Sequence, residues 1–115
     1  EVWREAHKLV LIIYKVTNLY NQKIYIGQTV NTLHSRQWRH YYDAFKLNNK
    51  KSFYCAIRKY GKDAFKWEIL YKVADNLLDV AEICAIYTYN TLYPYGYNYS
   101  LGGQGRSFYR QGKLF

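Results

Sequence analysis

The sequence is poor in cysteine, with only Cys55 and Cys84 among its 115 residues. Neither stands in a CxxC pair or has a histidine at metal-ligand spacing, so the pattern indicates neither a zinc module nor a disulfide framework. The chain also lacks any apolar run near the roughly 20 residues that cross a bilayer, and its charged residues 1–8 are not typical of a signal peptide. These absences predict an intracellular chain with reduced thiols and no membrane span.

Acidic residues are scarce as well: eight Asp and Glu oppose 17 Lys and Arg, for a formal net charge of +9. A chain with that charge concentrates polyanions around itself, which makes nucleic acid the leading partner. Many small domains are basic for solubility alone, and the charge by itself leaves that alternative open. Tyrosine is abundant, with 15 residues, and most of their rings are expected in the core or at its edge.

Length and hydrophobic content indicate one domain, because 115 residues, half of them apolar, can enclose a single core. The apolar runs LVLIIYKV (9–16) and KIYIGQ (23–28), separated by turn-forming residues, predict a β-hairpin. The alternating run FKWEILY (65–71) predicts a third strand. Helices are predicted over 31–47, 52–59 and 76–89, the last ended by the turn-forming segment 93–96.

The first predicted helix carries two distinct faces. Four aromatic side chains recur at helical spacing and should share one face: Trp38, Tyr41, Tyr42 and Phe45. Arg36 and His40, four residues apart, project together from roughly the opposite side. That side meets either solvent or a second surface, and an isolated pair of this kind is more often solvated.

Glu82 is the most informative single residue. On the last predicted helix it lies in an apolar stripe with Leu78 and Ile86, and no other charged residue follows it until Arg106. A carboxylate in such a stripe is unfavourable unless a cation, hydrogen bonds or a metal ion compensate. A buried ion pair and a functional carboxylate meet that need equally well, and both stay open.

Two strand segments resemble the motifs that name the GIY-YIG nuclease family. Ile12-Ile13-Tyr14 stands where the family has GIY, and Tyr25-Ile26-Gly27 is its YIG intact. Ile12 replaces the family's glycine, which bears on the backbone and substrate approach at that strand more than on the chemistry, because Tyr14 is retained. A strand tyrosine without such support is usually core packing.

Later positions extend the resemblance, which runs from about Leu11 to Gly105. Arg36 followed by His40 resembles the family's pair on the first helix, and Glu82 falls at its metal-binding glutamate. The segment 96–98, Gly-Tyr-Asn, resembles its closing motif with the active-site Asn98.

The resemblance implies an α+β fold, a small three-stranded, mostly antiparallel sheet flanked by helices. Residues 1–105 would form the catalytic domain, and 106–115 a linker-like tail toward a possible DNA-binding region. The implied function is a divalent-metal-dependent DNA endonuclease that hydrolyses phosphodiester bonds. The chain most resembles the catalytic domain of phage and mobile-intron homing endonucleases, acting as a monomer in the cytoplasm of a bacterial or phage-infected host.

The resemblance also assigns roles to side chains. Glu82 would hold Mg²⁺ or Mn²⁺ together with waters and a phosphate oxygen, and Arg36 would donate to the phosphate. Tyr14 is predicted to take a proton from water, with His40 as the proton acceptor because an ordinary phenol is a poor base at neutral pH. Tyr25 would orient the water or the phosphate.

Asn98 is predicted to position a neighbouring group or the substrate through its amide. Further basic residues are expected to contact DNA phosphates, which supplies affinity without sequence information. These residues are Arg39, Lys46, Lys50, Lys51, Arg58, Lys59 and Lys62. Two alternatives remain: a non-catalytic nucleic-acid-binding module of the same fold, and a restriction or repair nuclease.

Overall fold

The computed structural model describes residues 11–102. Three strands, β1 (Leu11–Asn18), β2 (Ile24–Thr29) and β3 (Phe65–Val73), form one antiparallel sheet in the order β2-β1-β3. The helices are α1 (Leu33–Phe45), α2 (Ser52–Tyr60) and α3 (Leu78–Tyr89). The predicted α+β fold with a three-stranded antiparallel sheet is confirmed. The tail predicted at 106–115 lies outside the described residues.

The central strand β1 is buried almost throughout, so both faces of the sheet are covered. Because strand side chains alternate, Tyr14 and Val16 point to one face, where they pack with Phe53 of α2. Leu11 and Ile13 point to the other, where α3 packs. The sheet therefore lies between an α1 and α2 layer and α3. Among residues 11–102, none of the helices combines the length and apolar character needed to cross a bilayer.

Helix α1 turns its Arg36 and His40 side toward the protein interior. Its buried residues are His40 and Ala44, whereas Trp38 and Phe45 are 61% and 47% exposed. Most of the predicted aromatic face therefore points outward, where Trp38 stacks on Tyr42, whereas Tyr41 packs against the core beside Trp67. The Arg36 and His40 side of α1 therefore meets a second protein surface and not solvent, because the His40 ring has aromatic neighbours and hydrogen-bond partners there.

The ends of two helices differ from the prediction. Thr32, not residue 31, is the N-cap of α1, and its hydroxyl accepts a hydrogen bond from the Ser35 amide at 3.1 Å. Residues 75–77 form a short 3₁₀ turn before α3. That helix ends at residue 89, as predicted, and its C-cap is Asn90 in a left-handed conformation (φ 55°), ahead of the segment 93–96 that was expected to end it.

Gly27 makes room for Tyr14. The two residues face each other across β1 and β2, and the phenol ring of Tyr14 lies directly over the Gly27 Cα. A Cβ at position 27 would overlap the Tyr14 hydroxyl oxygen and Cζ. The third residue of the YIG motif is therefore required by packing.

We expect Gly27→Ala to lower the free energy of unfolding by about 1–3 kcal/mol, because the Tyr14 ring must leave its position to accommodate the added methyl. Urea denaturation measures the change. Thr88→Ala on the exposed side of α3 is the control and should change stability little. Equal stability of the two variants would contradict the packing assignment.

Candidate active site

A chain of short hydrogen bonds is centred on the buried His40. The His40 Nε2 atom lies 2.6 Å from the Tyr14 hydroxyl, and Nδ1 lies 2.9 Å from the Tyr54 hydroxyl. Arg36 extends the chain at its other end, since its Nε donates to the Tyr14 hydroxyl at 3.3 Å. Four side chains from β1, α1 and α2 are thus held in one connected arrangement.

Aromatic rings surround the His40 ring at the centre of this chain. The His40 ring centroid lies 5.2–5.9 Å from the centroids of five rings: Tyr14, Tyr25, Phe53, Tyr54 and Trp67. Burial, assisted by the positive charge of Arg36, lowers the pKa of His40 to about 3. His40 is therefore neutral at physiological pH, with one nitrogen that donates and one that accepts.

A pocket of about 330 Å³ opens beside β2, the edge strand of the described sheet. Its lining includes four of the six predicted catalytic residues: Tyr25, Arg36, Glu82 and Asn98. Arg36 reaches it from α1 and Glu82 from α3, on opposite sides of the sheet. The edge strand is where side chains from the two layers can meet. A basic and an acidic side chain therefore share one concave site.

Tyr14 and His40 lie behind this pocket and are not among its lining residues. Both side chains are fully buried. Burial, together with the neighbouring Tyr25, raises the pKa of Tyr14 well above its ordinary value despite the opposing effect of Arg36. The role predicted for Tyr14, as the base that takes a proton from water, stays a prediction; its hydroxyl contacts Arg36 and His40 behind the pocket.

Glu82 is buried on α3, as its apolar stripe suggested, with 9% of its surface exposed. Its Oε1 accepts a hydrogen bond from the Gln28 side-chain amide at 2.8 Å. Gly102, at φ 88°, packs so closely that a Cβ there would lie 3.0 Å from the same oxygen. The carboxylate is thus held at the pocket by a neighbouring strand and by the backbone that follows Asn98.

Asn98 clamps the edge strand. Its Oδ1 accepts from the Ile26 amide at 2.9 Å and from the Thr91 hydroxyl at 2.7 Å, and its Nδ2 donates to the Ile26 carbonyl at 2.8 Å. Both ends of the amide are therefore engaged by the protein. The positioning role predicted for Asn98 stays a prediction. In the structure, the group that its amide holds is the backbone of Ile26, the residue after Tyr25.

The seven basic residues predicted to contact DNA differ in their surroundings. Of these residues only Lys51 lines the pocket. Arg39 pairs with Asp43 at 3.3 Å on the outer side of α1. Arg58 donates to the Ala44 carbonyl at 2.7 Å, so its guanidinium joins α2 to α1. The remaining four are exposed: Lys46, Lys50, Lys59 and Lys62.

Three residues of the site were missed by the sequence analysis: Gln28, Tyr54 and Gly102. Tyr54 belongs to no family motif, and nothing in the sequence distinguishes it from the other tyrosines. Gln28 directly follows the YIG segment, so its position on a site strand was a usable signal. Gly102 follows the Gly-Tyr-Asn segment closely, but nothing in the sequence indicated that it packs against Glu82.

Comparison with known proteins identifies solved structures that share this fold. No family model and no curated protein matches the sequence. A solved structure of the catalytic domain of intron endonuclease I-TevI, in a mutant form, matches with a TM-score of 0.69 and 24% identity, over 80% of this chain and 95% of that one. The catalytic domain of homing endonuclease I-TevI matches with a TM-score of 0.66 and 25% identity, over 76% and 96%. The described domain therefore has the fold of that catalytic domain.

The lowered pKa of His40 makes stability depend on pH. Below about pH 6.5 the unfolded chain binds a proton at this histidine that the folded protein excludes until about pH 3, so stability falls as the pH falls through that interval. We expect a loss of about 1.5 kcal/mol between pH 6.5 and 5. Urea titrations at several pH values measure this slope. It should disappear in His40→Gln and persist in His34→Gln, which changes an exposed histidine.

Removing the Asn98 amide should destabilise the protein at β2. Asn98→Ala leaves the buried amide and carbonyl of Ile26 without their partner, and we expect a loss of about 2–4 kcal/mol. Asn76→Ala, at an exposed position before α3, is the control. Thermal unfolding in parallel measures both. Similar midpoints would show that the clamp contributes nothing.

Proposed function

From a fold shared with GIY-YIG nucleases, we propose that this chain is a metal-dependent DNA endonuclease that hydrolyses phosphodiester bonds. The observation that supports the activity best is the meeting of Arg36 and Glu82 in one pocket, from opposite layers of the sheet. A guanidinium and a carboxylate that line the same pocket match what a phosphodiester and a divalent ion would each require.

Arg36 is suited to bind the scissile phosphate. Its Nε is committed to the Tyr14 hydroxyl, which fixes the plane of the guanidinium while the side chain still lines the pocket. The remaining N–H groups are donors that a phosphate oxygen accepts. Lys51 adds a second positive charge to the pocket, and the net charge of +9 attracts DNA to the whole surface.

Glu82 is the residue that would hold Mg²⁺ or Mn²⁺. Among residues 11–102 no group of three or more His, Cys, Asp and Glu side chains gathers. A single buried carboxylate at an open pocket fits a hard cation that keeps most of its water shell and takes a phosphate oxygen from the substrate. When bound, such an ion lowers the pKa of a coordinated water and stabilises negative charge on the phosphate.

Tyr14 and His40 act behind the pocket in this proposal. Tyr14 holds the Arg36 side chain in place, and His40 holds Tyr14 from the other side. Tyr25 lines the pocket, and its backbone neighbour Ile26 is clamped by Asn98, so it remains suited to orient a water or a phosphate oxygen. The preorganised positions limit reorganisation during the reaction.

The homing type is the proposed setting, because both matched structures are named as catalytic domains of an intron or homing endonuclease. Catalysis is favoured over a purely binding module because the pocket retains both Arg36 and Glu82 at its lining. We propose that the domain acts as a monomer with one active site, nicks the two strands separately, and takes its target specificity from a separate DNA-binding region.

Glu82→Gln should reduce metal-dependent nicking of supercoiled plasmid by about 100-fold or more while DNA binding persists, because the amide keeps the shape but loses the charge that holds the cation. Glu68→Gln is the matched control, since Glu68 pairs with Lys15 on the sheet and does not line the pocket. Reactions with Mg²⁺ and with EDTA measure the metal dependence. Undiminished nicking by Glu82→Gln would overturn the assignment.

A further inference from the structure

The hydrogen bonds around His40 form a chain in which the donor and the acceptor of each bond follow from the first one. A guanidinium donates and cannot accept, so the Tyr14 oxygen is the acceptor in its contact with Arg36. Accepting from a cation strengthens a hydroxyl as a donor, because its own proton becomes more acidic. Tyr14 is therefore the better donor of the two tyrosines that contact His40.

The two distances at His40 agree with that direction. The contact between the Tyr14 hydroxyl and Nε2 is 2.6 Å, shorter than N–H donors usually give, whereas the contact between Nδ1 and the Tyr54 hydroxyl is 2.9 Å, a length compatible with an N–H donor. The contact with Arg36 and the short distance both favour Tyr14 as the donor to Nε2. A neutral imidazole carries a single proton, which must then be on Nδ1 and be donated to the Tyr54 oxygen.

In this chain the Tyr54 oxygen accepts a hydrogen bond, and the Tyr54 hydroxyl proton is not donated to any of the other members. Within residues 11–102 its only hydrogen-bond contact is with His40 Nδ1. Asp43, whose charge acts on Tyr54, makes an ion pair with Arg39. Tyr54 lines the pocket together with Arg36 and Lys51. A chain of donors that begins at Arg36 therefore ends in the hydroxyl of a residue that lines the proposed active site.

We propose that Tyr54 donates a hydrogen bond to a non-bridging oxygen of the scissile phosphate, and that Tyr14 and His40 are the positioning residues that aim it. The proposal rests on the proposed nuclease function and deepens it by adding a phosphate ligand on α2. Burial raises the pKa of Tyr54, with Tyr25 adding to the effect, so the hydroxyl keeps its proton. A donor fixed before the substrate arrives favours the charge that develops on the phosphate oxygens.

The direction of the chain is testable without any activity. ¹⁵N NMR distinguishes the two neutral tautomers of histidine, and the His40 signals are assigned by their loss in His40→Gln. We expect a proton on Nδ1 and none on Nε2 at pH 7. A proton on Nε2 would reverse the chain and overturn the proposal.

The contact with phosphate is tested by Tyr54→Phe, which removes only the hydroxyl. Single-turnover nicking of supercoiled plasmid in Mg²⁺ should slow by about 10- to 100-fold, with plasmid affinity changed less than about threefold. Tyr60→Phe on the same helix is the matched control, because Tyr60 does not line the pocket and its ring stacks on Tyr20. Equal rates for Tyr54→Phe and the control would overturn the proposal.

A failure of the nuclease proposal can be told apart from a failure of this one. If the unmodified protein does not nick DNA, the test becomes a titration with inorganic phosphate followed by the NMR signals of the pocket residues. Weaker phosphate binding by Tyr54→Phe than by Tyr60→Phe would then support the donor role. Equal phosphate binding would contradict it.

Discussion

The burial of a neutral histidine between two tyrosine hydroxyls is the constraint on which the rest of the site depends. His40 is fully buried, and a charged imidazole in that position would be strongly unfavourable. Its two nitrogens are satisfied by Tyr14 from the sheet and Tyr54 from α2. Through these bonds one side chain of α1 sets the distance between three elements, and Arg36, one turn earlier, is brought to the pocket wall as a consequence.

The edge strand β2 is the second organising element, because both layers of the structure reach the pocket beside it. Gly27 lies under the Tyr14 ring, where no larger residue fits. Asn98 engages the Ile26 backbone with both ends of its amide. Backbone geometry and one buried amide therefore determine where Tyr25 lies relative to Glu82, and small changes at these supporting positions are expected to act on the site at a distance.

The two sides of the pocket offer different chemical groups. On the α1 and α2 side the pocket offers donors and positive charge, in Arg36, Lys51 and Tyr54. On the α3 side it offers the Glu82 carboxylate, held by Gln28. In the proposed reaction the donors would bind the oxygens of a phosphodiester and the carboxylate would hold a divalent ion, so the two sides would serve different parts of that reaction.

The sequence by itself determined the sheet, the number of helices in the described domain, the burial of Glu82 and the motif positions, because strand alternation and helical spacing are local properties of the chain. Only the tertiary structure decided which face of α1 points inward, since Trp38 and Phe45 suit a core as well as His40 does. It also placed Tyr14 behind the pocket and brought Tyr54 to its wall. Those outcomes depend on hydrogen bonds between residues 14 to 26 positions apart, and no local pattern encodes such distances or the direction in which each bond donates.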